Sequence, residues 1–442
     1  MWRFLYRGAW ALARPLAGVL AGSSGKLGRA AAGWRGAAPA IADWAAHHRD
    51  TARPLVWFHA ASVGEGRQAE AVIVRLRAAR ADWQIAYTHS SPSAERFART
   101  LPADFAGYVP CDTVADAGAA LEVLRPAALV FSATDVWPEL VRQALVRGVP
   151  VGLISATLAP TSSRRGALAR ALLADAYAAL TRVGAIDAAD AQGLTARGVP
   201  ADRVVVTGDT RHDAAATRAA AIDRNGEALR ALATDEGAPV VVAGSTWPDD
   251  ERALLPALAA VRARRPLRLV IAPHEPSSVH LADLERRLEL AFGSLALRRL
   301  SALEEAARAG GRAAWDVCVV DRVGLLAELY AAARIAFVGG GFHDAGLHAV
   351  IEPAAFGVPV VFGPRWQSSR DARLLLEAGG GASAAGRAAL EAVIGRWLED
   401  DAARAAAGAA ARAVVERGLG AADRSLAIVL ELVEPAAEGR RM

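Results

Sequence analysis

The sequence has 442 residues, which is enough for two or three domains. Hydrophobic residues make up 53% of the chain and charged residues 22%, a balance that excludes an intrinsically disordered protein. The net charge of +4 is too small to indicate a nucleic-acid-binding protein. Cys111 and Cys318 are far apart in the sequence and lack metal-ligand spacing, which predicts buried thiols in a reducing compartment.

The N-terminal segment, residues 1–50, differs from the rest of the chain because basic charge is concentrated there. Residues 1–53 carry a net charge of +6, more than the whole chain. On a helical wheel three arginines share one face and apolar side chains lie opposite: Arg3, Arg7 and Arg14 against Leu5, Leu12, Leu16 and Val19. Arginines inside the apolar run disfavour a full transmembrane span, and the lack of a clear cleavage site disfavours a signal peptide. We therefore predict an amphipathic helix lying on an anionic membrane surface. The alternative is a helix packed on the protein itself, and Pro15 would kink either helix.

Short apolar runs alternate with helical patterns along the rest of the chain, which is typical of βαβ units and parallel sheets. The predicted strands are 55–59, 84–88, 127–132, 149–155, 183–186, 204–207, 239–244, 267–272, 317–320, 335–338 and 359–362. Eleven strands are too many for one ordinary sheet. The pattern therefore predicts two similar α/β domains, 51–222 and 239–442, joined by a polar hinge at 223–238. Ligands of such folds bind beyond the carboxyl ends of the strands, so we expect functional residues in loops that face a cleft between the domains.

The segment HAASVGEGRQAE, residues 59–70, directly follows the first predicted strand. Small residues around Glu65, including Ser62 and Gly64, would let a substrate approach the backbone. A partly desolvated carboxylate at the start of a helix can act as a general base. The alternative is that Glu65 only caps the helix that follows.

A second segment, FVGGGFHDAGLHAVIEP at residues 337–353, places three glycines at the end of a predicted strand. Exposed backbone N–H groups and a helix N-terminus would form an anion site suited to phosphate. His348 and Glu352 are four residues apart, so we expect them on one helix face, with the carboxylate available to ribose hydroxyls. No third ligand is evident, which disfavours a metal site. Tight turns in an α/β fold explain the glycines equally well if they are taken alone.

Two further strand exits carry charged residues, Asp135 in SATDVWPEL and Arg211 in GDTRHD. These side chains could meet across a cleft. They could equally form a surface ion pair of little energetic value.

The order of these motifs resembles that of the Kdo (3-deoxy-D-manno-octulosonic acid) transferases of lipopolysaccharide synthesis. The resemblance runs from about Leu5 to the C-terminus. The matching segments are HAASVGE (59–65), DVWP (135–138), TGDTRHD (207–213), ST (245–246), PH (273–274), DRVGLLAELY (321–330) and GGGFHDAGLHAVIEP (339–353). The resemblance implies the GT-B fold of glycosyltransferases, with two Rossmann-like domains that face a cleft.

The resemblance also implies a reaction. Glu65 would take the proton from a hydroxyl of a lipid A precursor, lipid IVA, and the oxygen would attack CMP-Kdo with inversion. Asp135 and Arg211 match residues that stabilise the transition state, while Ser62 and Gly64 would contact the acceptor. The residues implied to bind the CMP are Pro273, His274, Val323, Gly324, Leu325, Gly340, Gly341, His348, Ala349, Val350, Ile351 and Glu352.

The same resemblance implies no metal, no other cofactor and no nucleic acid. It implies a location at the cytoplasmic face of the bacterial inner membrane, where anionic lipid would attract the basic N-terminal segment. The alternative function is that of another GT-B glycosyltransferase, or of a sugar-nucleotide epimerase that uses a different nucleotide sugar. A non-catalytic binding protein would be expected to lose Glu65.

Four positions depart from the family pattern. Asp135 and Arg211 stand where the family usually has Glu and Lys, and Ala349 stands where it has Asn. Trp247 occupies the position after Ser-Thr that is commonly His.

Overall fold

The structure is a computed structural model that describes residues 6–11, 25–133, 135–158, 167–233, 237–344 and 346–434. The chain divides into two compact units. The first unit consists of Met1–Ala214 and Gly418–Met442, and the second consists of Ala215–Arg417. Each unit contains a parallel sheet of seven strands within the described ranges.

The sheet of the first unit has the strand order β3-β2-β1-β4-β5-β6-β7. Its strands are β1 (Leu55–His59), β2 (Gln84–His89), β3 (Phe105–Tyr108), β4 (Ala128–Ser132), β5 (Val151–Ala156), β6 (Arg182–Ala185) and β7 (Val204–Val206). The apolar run of strand β1 packs against helices on both faces of the sheet. Leu55 and Trp57 enter the core on one face of the sheet, and Val56 and Phe58 enter a separate core on the other. Both faces of the strand are therefore buried, as is usual for parallel sheets.

The sheet of the second unit has the order β10-β11-β9-β8-β12-β13-β14. Its strands are β8 (Val240–Thr246), β9 (Arg268–Pro273), β10 (Leu297–Arg299), β11 (Val317–Val319), β12 (Ile335–Val338), β13 (Val360–Phe362) and β14 (Gly381–Ser383). The four central strands, β11, β9, β8 and β12, are direct neighbours, so their exit loops lie side by side at the carboxyl edge of this sheet.

Helices cover the sheets between these strands, as expected for alternating β and α segments. They are α1 (residues 6–11), α2 (Lys26–His48), α3 (Val63–Ala79), α4 (Glu95–Ala98), α5 (Val114–Leu124), α6 (Pro138–Val146), α7 (Ala167–Ala178), α8 (Ala188–Thr195), α9 (Thr210–Ala221), α10 (Glu227–Leu232), α11 (Pro248–Arg262), α12 (Ser278–Phe292), α13 (Leu300–Arg308), α14 (Leu326–Leu329), α15 (Ile351–Ala355), α16 (Arg370–Ala378), α17 (Arg387–Glu399), α18 (Asp401–Arg417) and α19 (Ala421–Val433).

The structure divides the chain at positions that differ from the predicted ones. The first unit ends at Ala214, within α9, and residues 223–238, expected to be a hinge, lie inside the second unit. The last helix, α19, belongs to the first unit, because Ile428, Val429 and Leu432 join the core on one face of its sheet. Buried Asp213 fixes the start of this helix by accepting the backbone N–H groups of Gly420 and Ala422, both at 2.9 Å.

Most of the predicted N-terminal membrane helix, including Arg3, Arg14 and Pro15, lies outside the described residues. The described turn, α1, contacts the first unit. Tyr6 donates a hydrogen bond to Asp112 at 2.6 Å, and Arg7 pairs with buried Glu139 at 3.0 Å. This turn therefore has the contacts of a helix packed on the protein. Among the described helices, none combines the length and the apolar character required to cross a bilayer.

Candidate active site

Glu65 lies in the first turn of α3, directly beyond the carboxyl end of β1. Its Oε2 accepts the backbone N–H of Ala61 at 2.9 Å, and its own N–H donates to the Ser62 hydroxyl at 3.4 Å. The Ser132 hydroxyl, at the end of β4, donates to the Glu65 carbonyl at 3.0 Å. The carboxylate thus makes the contact expected if Glu65 caps the start of α3. The Ser132 hydrogen bond links the exit of β4 to the same turn. Ser62 and Gly64, predicted to contact an acceptor, flank it in the same turn, and Gly64 is exposed.

Asp135 follows β4, the neighbour of β1, and is half-buried. Its Oδ2 accepts the indole N–H of Trp137 at 3.1 Å. Ala133, two residues earlier, has a φ of 66°, a left-handed conformation that costs a non-glycine residue free energy. The backbone is therefore held in an unfavourable conformation where it delivers Asp135 to the same edge of the sheet as Glu65.

Arg211 lies near the start of α9 and pairs with Asp209, whose Oδ2 accepts the guanidinium Nε–H at 2.9 Å. Asp209 is buried, and its Oδ1 also accepts the Gln68 amide of α3 at 3.1 Å. One buried carboxylate therefore orients Arg211 and attaches its loop to the helix that carries Glu65. Asp209 was not predicted from the sequence, although an Asp two residues before the Arg is visible in GDTRHD.

Two titratable side chains of the first sheet, His59 and Tyr87, are influenced by the charges of Asp135 and Glu65. Burial lowers the pKa of His59 to about 4, and the nearby charge of Asp135 opposes this shift only in part. Burial, together with the charge of Glu65, raises the pKa of Tyr87 well above its usual range. Both groups are therefore neutral at physiological pH, and Glu65 and Asp135 provide the acidic character of this edge.

The glycine-rich loop of the second unit binds a carboxylate of the protein itself. Asp250, fully buried in α11, accepts the backbone N–H groups of Gly340 at 2.7 Å and Phe342 at 3.0 Å. The expectation that these amides stand open to an external anion is therefore wrong for Gly340. Sequence reasoning missed Asp250, although an acidic residue three positions after Trp247 at a helix start is a capping signal.

Close backbone packing explains why two of the glycines are needed. A Cβ at Gly339 would lie 2.2 Å from the carbonyl oxygen of Ser245, and one at Gly341 would lie 2.5 Å from the backbone nitrogen of Gly363. These distances exclude any larger residue without backbone movement. The turn-and-packing alternative left open by the sequence thus accounts for these glycines.

His348 and Glu352 do not share a helix face as predicted, because α15 begins only at Ile351. Glu352 lies in the first turn of this helix and pairs with Arg218 at 2.9 Å. His348 lies before the helix, where its backbone N–H donates to the Gly339 carbonyl at 3.1 Å. The five-residue helix is too short to align both side chains.

His348 belongs instead to a group of four aromatic rings, which we call the ring cluster: Trp247, His274, His343 and His348. The Trp247 indole stacks on His343 with ring centroids 4.4 Å apart and on His274 at 4.8 Å. His274 in turn stacks on His348 at 4.4 Å. Burial, followed by the proximity of His274 and His343, lowers the pKa of His348 to about 4. Of these four rings, only His274 and His348 were predicted from the sequence to bind the nucleotide.

The remaining predicted nucleotide residues follow neighbouring strands of the second sheet. Pro273 ends β9, and the loop of Val323, Gly324 and Leu325 follows β11. Gly340 and Gly341 follow β12, Ala349 and Val350 lead into α15, and Ile351 is the first residue of that helix. The exits of adjacent strands thus bring these residues to one edge of the second unit. The described residues contain no cluster of three or more side chains able to hold a metal ion.

Two α/β units, each with a parallel seven-stranded sheet in its described part and polar residues at its strand exits, define the GT-B fold class. A putative UDP-N-acetylglucosamine 2-epimerase from Listeria monocytogenes has this fold with a TM-score of 0.61, at 14% identity over 86% of this chain and 96% of that chain. Residues 37–214 match the family model for 3-deoxy-D-manno-octulosonic-acid transferase (kdotransferase).

Two relatives extend this match beyond the first unit. The chain is 31% identical to the 3-deoxy-D-manno-octulosonic acid transferase of Bordetella pertussis, over 84% of this chain and 86% of that protein. It is 27% identical to the Chlamydophila psittaci transferase of the same description, over 74% of each. The chain belongs to the 3-deoxy-D-manno-octulosonic acid transferase family and is a glycosyltransferase.

Proposed function

We propose that this protein transfers Kdo from CMP-Kdo to a lipid A precursor, lipid IVA, with inversion at the anomeric carbon. The observation that carries the proposal is the position of Glu65. It lies half-buried at the carboxyl end of β1, beside the exit of β4 that leads to Asp135. Its Oε2 is held by Ala61 N–H, and this contact fixes the carboxylate's orientation.

In the proposed reaction Glu65 takes the proton from a sugar hydroxyl of the acceptor. The hydroxyl oxygen then forms a bond to the anomeric carbon of Kdo while the bond from that carbon to the phosphate oxygen breaks, and CMP leaves with the bonding electron pair. Positive charge develops on the sugar ring, which the carboxylate of Asp135 would stabilise. Arg211, oriented by Asp209, supplies a fixed positive charge for the departing phosphate.

A cavity in the first unit supports a lipid acceptor. Its volume is about 790 Å³, and its lining includes the indoles of Trp10 and Trp34, the guanidinium groups of Arg7 and Arg35, and the carboxylates of Asp112 and Asp116. Arg7 already pairs with Glu139. The two indoles and Arg35 are the groups that would suit an amphiphile with an anionic head at a membrane interface. An enzyme that uses such an acceptor would act at the cytoplasmic face of the inner membrane, in contact with anionic lipid.

The test is an assay of lipid products by mass spectrometry with CMP-Kdo, generated in place, and a tetraacylated lipid A precursor. Wild type should add Kdo, and Glu65→Gln should lose 10²–10⁴-fold in rate, the usual contribution of a general base. Glu70→Gln is the matched control, because Glu70 is on the same helix and pairs with Arg67 on that helix. Equal rates for the two variants would contradict the role of Glu65, and no transfer by wild type would contradict the function.

The donor nucleotide can be tested separately. A ligand that binds only the folded state raises the melting temperature, so CMP should stabilise the protein more than UMP or UDP. Stabilisation by UDP without stabilisation by CMP would indicate the alternative function, with a different nucleotide sugar.

A further inference from the structure

The ring cluster contains a hydrogen bond that fixes the chemistry of one imidazole. The indole Nε1 of Trp247 lies 3.0 Å from Nε2 of His348. An indole N–H can only donate, so Nε2 of His348 must accept. A neutral imidazole that accepts at Nε2 carries its proton on Nδ1. Protonation of Nε2 would place two N–H groups head to head at this distance.

The backbone around Trp247 is fixed more firmly than an ordinary loop. Its N–H donates to buried Asp250 at 2.9 Å, and Asp250 also holds the glycine loop. Ser245, two residues before Trp247, has a φ of 53°, a strained conformation that packs its carbonyl against Gly339. The backbone that carries the indole is therefore held by the same contacts that shape the glycine loop.

We propose that Trp247 is a positioning residue of the donor site, whose indole N–H holds His348 as a neutral imidazole that presents its Nδ1–H to the phosphate of the donor. This inference deepens the proposed function and rests on it. His348 then meets the phosphate as a hydrogen-bond donor and not as a cation. Trp247 stands where the family commonly has His, so this device belongs to the present chain.

The charged and titratable groups around His348 either disfavour a positive charge on its imidazole or leave its protonation state unchanged. His274, from the exit of β9, and His343, from the glycine loop, both disfavour a positive charge on His348, in addition to its burial. Asp250 would attract such a charge, but its carboxylate oxygens are engaged by the N–H groups of Trp247, Gly340 and Phe342. Donor binding should consequently be independent of pH between about 5 and 8, as far as His348 is concerned.

The direct test is ¹⁵N NMR of the histidine side chains in the full-length protein, with the His348 signals assigned by their loss in His348→Gln. In wild type we expect the Nδ1–H tautomer and no titration above pH 5. Trp247→Phe keeps an aromatic ring and loses the N–H donor. In this variant we expect His348 to take up a proton more easily, with an acid dissociation constant about tenfold smaller, and its neutral form to become a mixture of the two tautomers.

Trp315→Phe is the matched control. Trp315 is in the same unit, is buried, and its indole N–H has no hydrogen-bond partner among the described residues. This variant should leave the His348 signals unchanged. A His348 that titrates near its ordinary pKa in wild type, or one that Trp247→Phe does not alter, would overturn the inference.

Calorimetric titration with CMP at pH 5.5 and pH 7.5 links the tautomer to the donor site. The phosphate of CMP itself takes up a proton at about pH 6, so the two proteins are compared with each other at each pH. Relative to wild type, Trp247→Phe should bind CMP several-fold more tightly at pH 5.5 than at pH 7.5, because a protonated His348 makes a stronger hydrogen bond to phosphate. Equal behaviour of wild type and Trp247→Phe would overturn the donor-site role. Failure of wild type to bind CMP at all would overturn the proposed function, while the NMR measurement still decides the tautomer.

Discussion

Asp250→Asn should disrupt the glycine loop of the second unit, although it changes one oxygen to an amide nitrogen. The Asp250 carboxylate accepts three backbone N–H groups: Gly340 and Trp247 on Oδ2, and Phe342 on Oδ1. An asparagine has only one oxygen. Whichever way its amide faces, at least one N–H group meets an NH₂ group and loses its acceptor.

The cost can be worked out from these contacts. A buried N–H group without an acceptor costs about 1–3 kcal/mol, and each retained bond weakens by about 1 kcal/mol when its acceptor loses its charge. Burial already raises the pKa of Asp250, so removing the charge recovers part of this loss. We expect a net destabilisation of about 3 kcal/mol, and a loss of CMP affinity, because the loop no longer holds its shape.

Native-state hydrogen exchange is the appropriate assay, because it reports on the loop amides themselves. The amides of Gly340 and Phe342 should exchange about 100-fold faster in Asp250→Asn than in wild type. The control is Asp249→Asn, the same change one residue earlier, where the partly exposed Asp249 makes a surface pair with Arg252. That pair is worth less than about 1 kcal/mol. Equal exchange rates in the two variants would refute the reasoning.

Packing and burial in the first unit make two more outcomes measurable. Gly66→Ala places a Cβ 2.5 Å from the Phe97 ring and should cost about 1–3 kcal/mol in chemical denaturation. Gly64→Ala, whose Cβ has no neighbour closer than 3.9 Å, should be neutral or stabilising, and equal losses would contradict the packing argument. The pKa of His59 is about 4 in the fold against 6.5 in the unfolded chain, so the unfolded chain binds an extra proton as the pH falls between these values. Protonation of His59 in the unfolded chain should therefore remove up to about 3 kcal/mol of the free energy of unfolding as the pH falls from 6.5 to 4, and His59→Gln should lose that dependence. Parallel pH profiles for wild type and variant would contradict this prediction.

The sequence was sufficient to predict the α/β class and the central strands, because each central strand is built around a short apolar run. Strands β3, β10 and β14 were missed, and all three are sheet edges. Edge strands are short and need no continuous apolar run, since one side meets solvent or a helix. In β10, Leu297–Arg299, two of the three residues are arginines, so no hydrophobic pattern marks the strand.

The strand exits that carry the candidate site residues were predicted from the sequence, but only some of the contacts of those residues were. Strand-exit placement follows from the fold class, so Glu65, Asp135 and Arg211 lie at the expected edge. Their partners depend on tertiary packing, which a motif does not encode. Asp209 and Asp250 are buried acceptors of local N–H groups, and each seemed in the sequence to be one more polar loop residue.

The return of α19 to the first unit has a consequence for the order in which the protein is made. The first sheet is synthesised early, but the helix that covers Val130 and Ile154 follows only after the roughly 200 residues of the second unit. Helix α3 covers part of this face early, but at roughly 5–20 residues per second translation leaves the part that α19 covers exposed for roughly 10–40 s. The second unit is an uninterrupted stretch of chain and can complete its fold in this interval. The half of the protein that emerges first from the ribosome is therefore the half that is finished last, and during the delay its exposed apolar surface is open to aggregation.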